Sequence, residues 1–121
     1  MDRWLLAAGA LAMAVAVGSG AYAAHAARVA AHPEARRLLD TAVLYMLVHG
    51  LGILAAGALA RSSPSSWLAA AGALHLAGIV LFCGSLWVLA LAGRSTGVAP
   101  AGGMAFIAGW LCLAVYALVK R

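Results

Sequence analysis

The sequence predicts an all-α integral membrane protein, a four-helix bundle with a short surface helix between spans one and two. Three observations carry that expectation. The chain has 121 residues, 66% of them hydrophobic, with a mean hydropathy of +1.02, far outside the range of soluble domains. Four runs free of charge, at about residues 4–24, 41–60, 67–92 and 98–119, each reach the ~20 residues that a helix needs to cross a bilayer. The basic residues Arg3, Arg28, Arg36, Arg37, Arg61, Arg94, Lys120 and Arg121 flank or separate those runs, where they would meet lipid headgroups. Residues 1–121 leave room for a single transmembrane domain.

The first run, 4–24, follows Met1-Asp-Arg and ends near Ala21-Tyr-Ala23-Ala-His-Ala26, which imitates a secretory signal with a small-residue cleavage site. Its apolar stretch is longer than the ~7–15 residues of a usual signal core, so we expect a retained span with Trp4 at the interface. Small residues at Ala14, Ala16, Gly18, Gly20 and Ala24 recur at four-residue spacing, a pattern that allows close helix approach in lipid. An alanine-rich composition by itself would produce the same pattern.

The connector, about 26–40, is the longest and most charged. Pro33 suits the first turn of a helix, Glu34 complements the helix dipole, and Glu34/Arg37 and Arg36/Asp40 are spaced as same-face pairs. An amphipathic segment along the membrane surface is expected, serving as an ordinary solvated connector in preference to a lipid- or partner-binding element. Span two ends at Arg61, and Ser62-Ser-Pro-Ser-Ser66 forms a turn in which Ser65 or Ser66 can cap span three. Glycines at 72, 78 and 84 suit backbone contact in span three. Pro100 opens span four, where Gly102, Gly103 and Gly109 form a close-packing face, and Lys120 and Arg121 end the chain at the interface.

Basic residues divide four against four between the two membrane sides, so the positive-inside rule returns a tie. Both termini are taken as cytoplasmic, in a bacterial inner (plasma) membrane. The net charge of +5 does not point to nucleic acid, because it is distributed at span ends and forms no stripe.

The titratable residues near or inside the spans define the candidate sites. Tyr45 and His49 are four apart in an uncharged run, one face of a helix, and a ring at His49's depth needs a partner inside protein. His25, Asp40 and Tyr45 fall toward one membrane surface and could form a polar cluster; mutual satisfaction that pins the first loop is preferred over a proton or ligand site. His49 and His75 flank the Ser-rich turn at depths that differ by about 5 Å at helical rise, so haem or a metal held between helices is an alternative. Cys83 and Cys112 flank the third turn in the same way; with the methionines they could form a copper path, but buried cysteine more often acts as a small apolar residue.

Four segments together resemble a known family. They are Gly20-Ala-Tyr-Ala-Ala-His25-Ala, Thr41-Ala-Val-Leu-Tyr45-Met-Leu-Val-His49, Leu81-Phe-Cys-Gly84-Ser85-Leu, and Pro100-Ala-Gly102-Gly103-Met-Ala-Phe106-Ile-Ala-Gly109-Trp110. In this order they resemble the domain of unknown function 423 family, small four-span membrane proteins of the YgdD and YwdK type. The resemblance covers essentially the whole chain and implies a four-span bundle; it implies no activity. The family pattern has glutamine after the tyrosine, where this chain has Met46, and serine where it has Cys83. Any polar network through those positions is in doubt here.

The sequence contains no nucleotide-binding loop, no paired carboxylates and no metal-ligand cluster at a recognised spacing. No Asp or Glu lies within the apolar runs, which argues against a proton-coupled exporter. The expected function is therefore non-enzymatic and without cofactor: an accessory or structural subunit acting by helix packing with itself or a larger membrane complex. The packing residues are expected to be Gly18, Gly20, Gly84, Ser85, Gly102, Gly103 and Gly109. The alternatives are a haem or metal carrier through His49 and His75, and a transporter or channel for a small solute.

Overall fold

Backbone amides and carbonyls in hydrocarbon must bond within their own segment, and an uncharged run of this length meets that demand as a helix. The computed structural model describes residues 1–120. It contains α1 (Asp2–His25), α2 (Ala27–Ala30), α3 (Pro33–Ser62), α4 (Ser66–Gly78), a π-helical turn (Ile79–Cys83), α5 (Gly84–Ala92) and α6 (Ala99–Val119), with no strand among the described residues. The segments α4, the π turn and α5 run on as one rod, so four rods are long and apolar enough to cross a membrane. Arg121, expected at the interface with Lys120, lies outside the described residues.

The surface helix between spans one and two is shorter than the expected connector. Only α2, a single turn, stands alone; from Pro33 the helix runs without a break through the expected start of span two. The reason is local: Pro33 occupies the first turn, where its missing N–H costs nothing, and no later proline interrupts α3. Residues 33–40 are thus the first two turns of the 30-residue α3. They carry the expected ion pairs, Arg36–Asp40 at 2.9 Å and Arg37–Glu34 at 3.4 Å, both exposed.

Turn chemistry closes the other ends. The Ser65 hydroxyl oxygen accepts from the Trp67 amide at 3.3 Å, capping α4. Gly93 ends α5 in the left-handed region, φ 66°, where a side chain would be strained.

The rods do not surround a central axis equally. In α3, 44% of the apolar window is buried, against 22% in α1 and 17% in α6. The α3 rod and the α4–α5 rod form the central pair; α1 packs on α3, α6 packs on α4, and the two flanking helices hardly touch one another. The α1 face toward α3 is a stripe of Gly9, Ala12, Ala16, Ser19 and Ala23 at three- and four-residue spacing, small enough for the backbones to approach closely.

Candidate functional site

At mid-bundle the central pair and α6 enclose a cluster of rings. On α3, Tyr45 and His49 stack one turn apart, with centroids 5.7 Å apart and planes 19° apart. His49 also stacks on Phe106 of α6, 3.5 Å between centroids. Its Nδ1 lies 2.7 Å from the Tyr45 carbonyl oxygen. A carbonyl can only accept, so Nδ1 carries the hydrogen and Nε2 is left as the free acceptor.

His75 comes from α4 and is fully buried, at 0% exposure. Its ring centroid is 5.3 Å from that of His49 and 4.7 Å from that of Trp110, which meets it edge-on. Two glycines shape its slot. A Cβ at Gly52 of α3 would come within 2.9 Å of the ring, and one at Gly109 of α6 within 2.8 Å. Neither ring nitrogen of His75 has a hydrogen-bond partner, although both are shielded from solvent. An unpartnered buried polar atom is costly, most of all in a low dielectric.

Below this slot the π turn brings Phe82 against Tyr45, 4.7 Å between centroids, and seats its backbone directly on Gly102. Single π turns in long helices recur at functional sites. Cys83, at the end of that turn, is buried and donates its thiol hydrogen to the Ala42 carbonyl at 3.4 Å. Cys112 packs elsewhere, against the cluster of Ala56, Ala60, Leu68 and Ala71. Ser85 donates to the Leu81 carbonyl and shares a 2.7 Å hydrogen bond with Thr96.

The structure thus brings His49, His75 and Tyr45 together and separates the remaining polar residues from them. Asp40 takes both its contacts from Arg36, one turn earlier on its own helix. His25 is exposed at the end of α1. Among the described residues no hydrogen bond joins His25, Asp40 and Tyr45, because the carboxylate is satisfied locally and the tyrosine ring faces Phe82 and Phe106. Nor do three or more His, Cys, Asp or Glu side chains gather as a metal site among the described residues.

Of the expected packing glycines, Gly102 and Gly109 meet α4 and the π turn, and Gly20 makes ordinary contact with Val43 at 3.6 Å. Gly18, Gly84 and Gly103 have nothing within 4 Å of a Cβ position, so no neighbouring span presses on that side of them. Their faces look outward. Sequence reasoning overlooked Gly50, Gly52 and Gly57, which face neighbouring spans closely. The signal available was their cost: glycine in a helix interior loses about 0.5–1 kcal/mol relative to alanine, so three of them within eight residues of α3 call for a packing reason.

These features define a small four-span α-helical membrane protein with an imidazole and aromatic core. The family model for "Protein of unknown function (DUF423)" matches residues 19–103. The chain is 38% identical to a UPF0382 membrane protein of Staphylococcus haemolyticus, covering 88% of each chain. It is 36% identical to the UPF0382 membrane protein YwdK of Bacillus subtilis, over 91% of this chain and 92% of that one. Against the UPF0382 inner membrane protein YgdD of Escherichia coli it is 31% identical, over 99% of this chain and 94% of that one. The chain belongs to the DUF423 (UPF0382) family of membrane proteins. No solved structure matches it.

Proposed function

We propose that this chain is a non-enzymatic accessory subunit of the bacterial inner membrane, acting by helix packing with a second copy or with a larger membrane complex, both termini cytoplasmic. The observation that carries the reading is the outer face of α1. Ala7, Ala10, Ala14, Gly18 and Ala21 lie on one side, all exposed, opposite the stripe that packs on α3. Close approach in lipid comes from small residues and van der Waals fit, and this face offers both without an occupant inside the chain. The inner membrane assignment is supported by the relative YgdD, which is named as an inner membrane protein.

Cysteine crosslinking in native membranes tests the reading. Ala14→Cys should give a discrete crosslinked species that Gly18→Leu abolishes, while Ile107→Cys on the exposed side of α6 should give none. A strict monomer in mild detergent, with no crosslink from either position, overturns it.

A second reading is favoured by the two unpartnered nitrogens of His75 beside the free Nε2 of His49. An ion such as zinc or copper, both suited to imidazole, would bridge His49 Nε2 and one ring nitrogen of His75, while the other His75 nitrogen keeps its hydrogen and stays unpartnered. A haem is the poorer fit, since Gly52, Gly109, Phe106 and Trp110 close around the rings. Metal bound to the purified protein and lost in His75→Ala would support this reading; a colourless, metal-free preparation dismisses it.

A further inference from the structure

The ion pairs at one membrane surface leave positive charge without a carboxylate partner, and one such cation, Arg28, lines a cavity. Arg28 and Val29 of α2, His32 and Ala35 at the start of α3, and Ala90 and Leu91 at the end of α5 line a cavity of about 250 Å³. Val29 closes its floor, buried with Ala23 and Leu39 against Trp87. One guanidinium nitrogen of Arg28 donates to the Leu91 carbonyl at 2.6 Å, one of the α5 carbonyls that has no acceptor role inside the helix. That bond fixes the guanidinium at the rim and leaves its other N–H groups available.

Both carboxylates of this surface are taken: Asp40 by Arg36 and Glu34 by Arg37. Among the described residues Arg28 and Arg94 have no acidic partner, and His32 adds a second nitrogen donor or acceptor at the cavity wall. The cavity lies at the end of the third rod, the level at which an apolar run gives way to headgroups. A fixed guanidinium with spare donors, an imidazole and an unneutralised charge at that level match one chemistry, a phosphate oxyanion.

We propose that the cavity between α2, the start of α3 and the end of α5 is a phosphate-binding site built on Arg28 and His32, whose ligand is the phosphodiester of an anionic phospholipid headgroup. The site ties the one-turn helix to the third rod through the ligand as well as through the Leu91 bond. It does not depend on the packing role proposed for α1.

The test is binding of fluorescent phosphatidylglycerol and of phosphatidylcholine to the full chain in detergent micelles, each with and without inorganic phosphate as competitor. Phosphatidylglycerol should bind in preference, and Arg28→Gln, which keeps a donor for Leu91 but loses the charge, should weaken it about tenfold, the value of one charge-assisted hydrogen bond. His32→Ala should weaken it too and serves as the second variant if Arg28→Gln does not fold. Arg37→Ala, paired on the surface and outside the cavity, should bind as wild type. Displacement by inorganic phosphate that depends on Arg28 supports the oxyanion site and assigns it to soluble phosphate over lipid. Equal binding of the two lipids, or phosphatidylglycerol binding unaffected by both Arg28→Gln and His32→Ala, overturns the proposal.

Discussion

Two sets of glycines in this protein look alike in sequence and stand in opposite surroundings. Gly102 and Gly109 of α6 and Gly52 of α3 are pressed against the π turn and the His75 ring, while Gly18, Gly84 and Gly103 face open space. Both sets lie in charge-free stretches of their helices, among alanines. Lipid and protein interior are equally apolar, so no hydropathy difference separates a face that meets another helix from one that meets lipid. Occupied glycines hold the imidazole and aromatic core together. Open ones are available to something outside the chain.

The same substitution, glycine to alanine, should therefore change sign between the two sets. The largest effect is expected at Gly102, where the added methyl would lie 2.7 Å from Phe82 Cβ and 2.9 Å from its Cα. Backbone cannot rotate away, so α6 must separate from the π turn, and Gly102→Ala should cost about 3 kcal/mol, the upper part of the usual overpacking range. Thermal unfolding in a fixed detergent would show a large fall in Tm. A variant as stable as wild type would mean that α6 does not seat there.

Gly109→Ala comes next, at about 1–3 kcal/mol, because the His75 ring it strikes is held on the far side by Gly52 and cannot swing aside. This prediction can be sharpened by a double-mutant cycle. Adding His75→Ala should recover part of the loss, since the ring is what the methyl meets; strictly additive losses would break the proposed contact.

At Gly18 the sign reverses. Gly18→Ala meets nothing and replaces a poor helix former, so it should stabilise the isolated chain by about 0.5–1 kcal/mol. A loss of stability in dilute detergent would show that α1's outer face has an intramolecular partner after all. The smallest effect is expected at Arg36→Ala. Its pair with Asp40 has 46% and 53% of the two side chains exposed, and such surface pairs contribute about 0–1 kcal/mol. A Tm shift as large as that of Gly109→Ala would indicate that Asp40 has a further role at the α2 junction.

How much of this was legible from residues alone differs between the backbone and the site. The four rods, the Ser65 cap and the opening of α3 at Pro33 follow from local chemistry, which reads the same in any tertiary context. The Tyr45/His49 face and the similar depth of His75 were visible in helical spacing and hairpin arithmetic. The polar cluster of His25, Asp40 and Tyr45 was a reasonable expectation from depth, yet Arg36 takes Asp40 first, since a partner one turn away is reached without ordering the loop. Nothing in the spacing of Phe82 announced the π turn, whose single extra residue depends on what the α4–α5 rod meets.

Length, hydropathy and the placement of charge are properties that a chain carries before it folds, and in hydrocarbon they leave the backbone one solution, a set of spanning helices. Which side of each helix turns inward is a different kind of quantity. It rests on the fit of rings and glycines across three helices, His75 between Gly52 and Gly109 above all. Surfaces that are apolar all round acquire that distinction only when the helices meet.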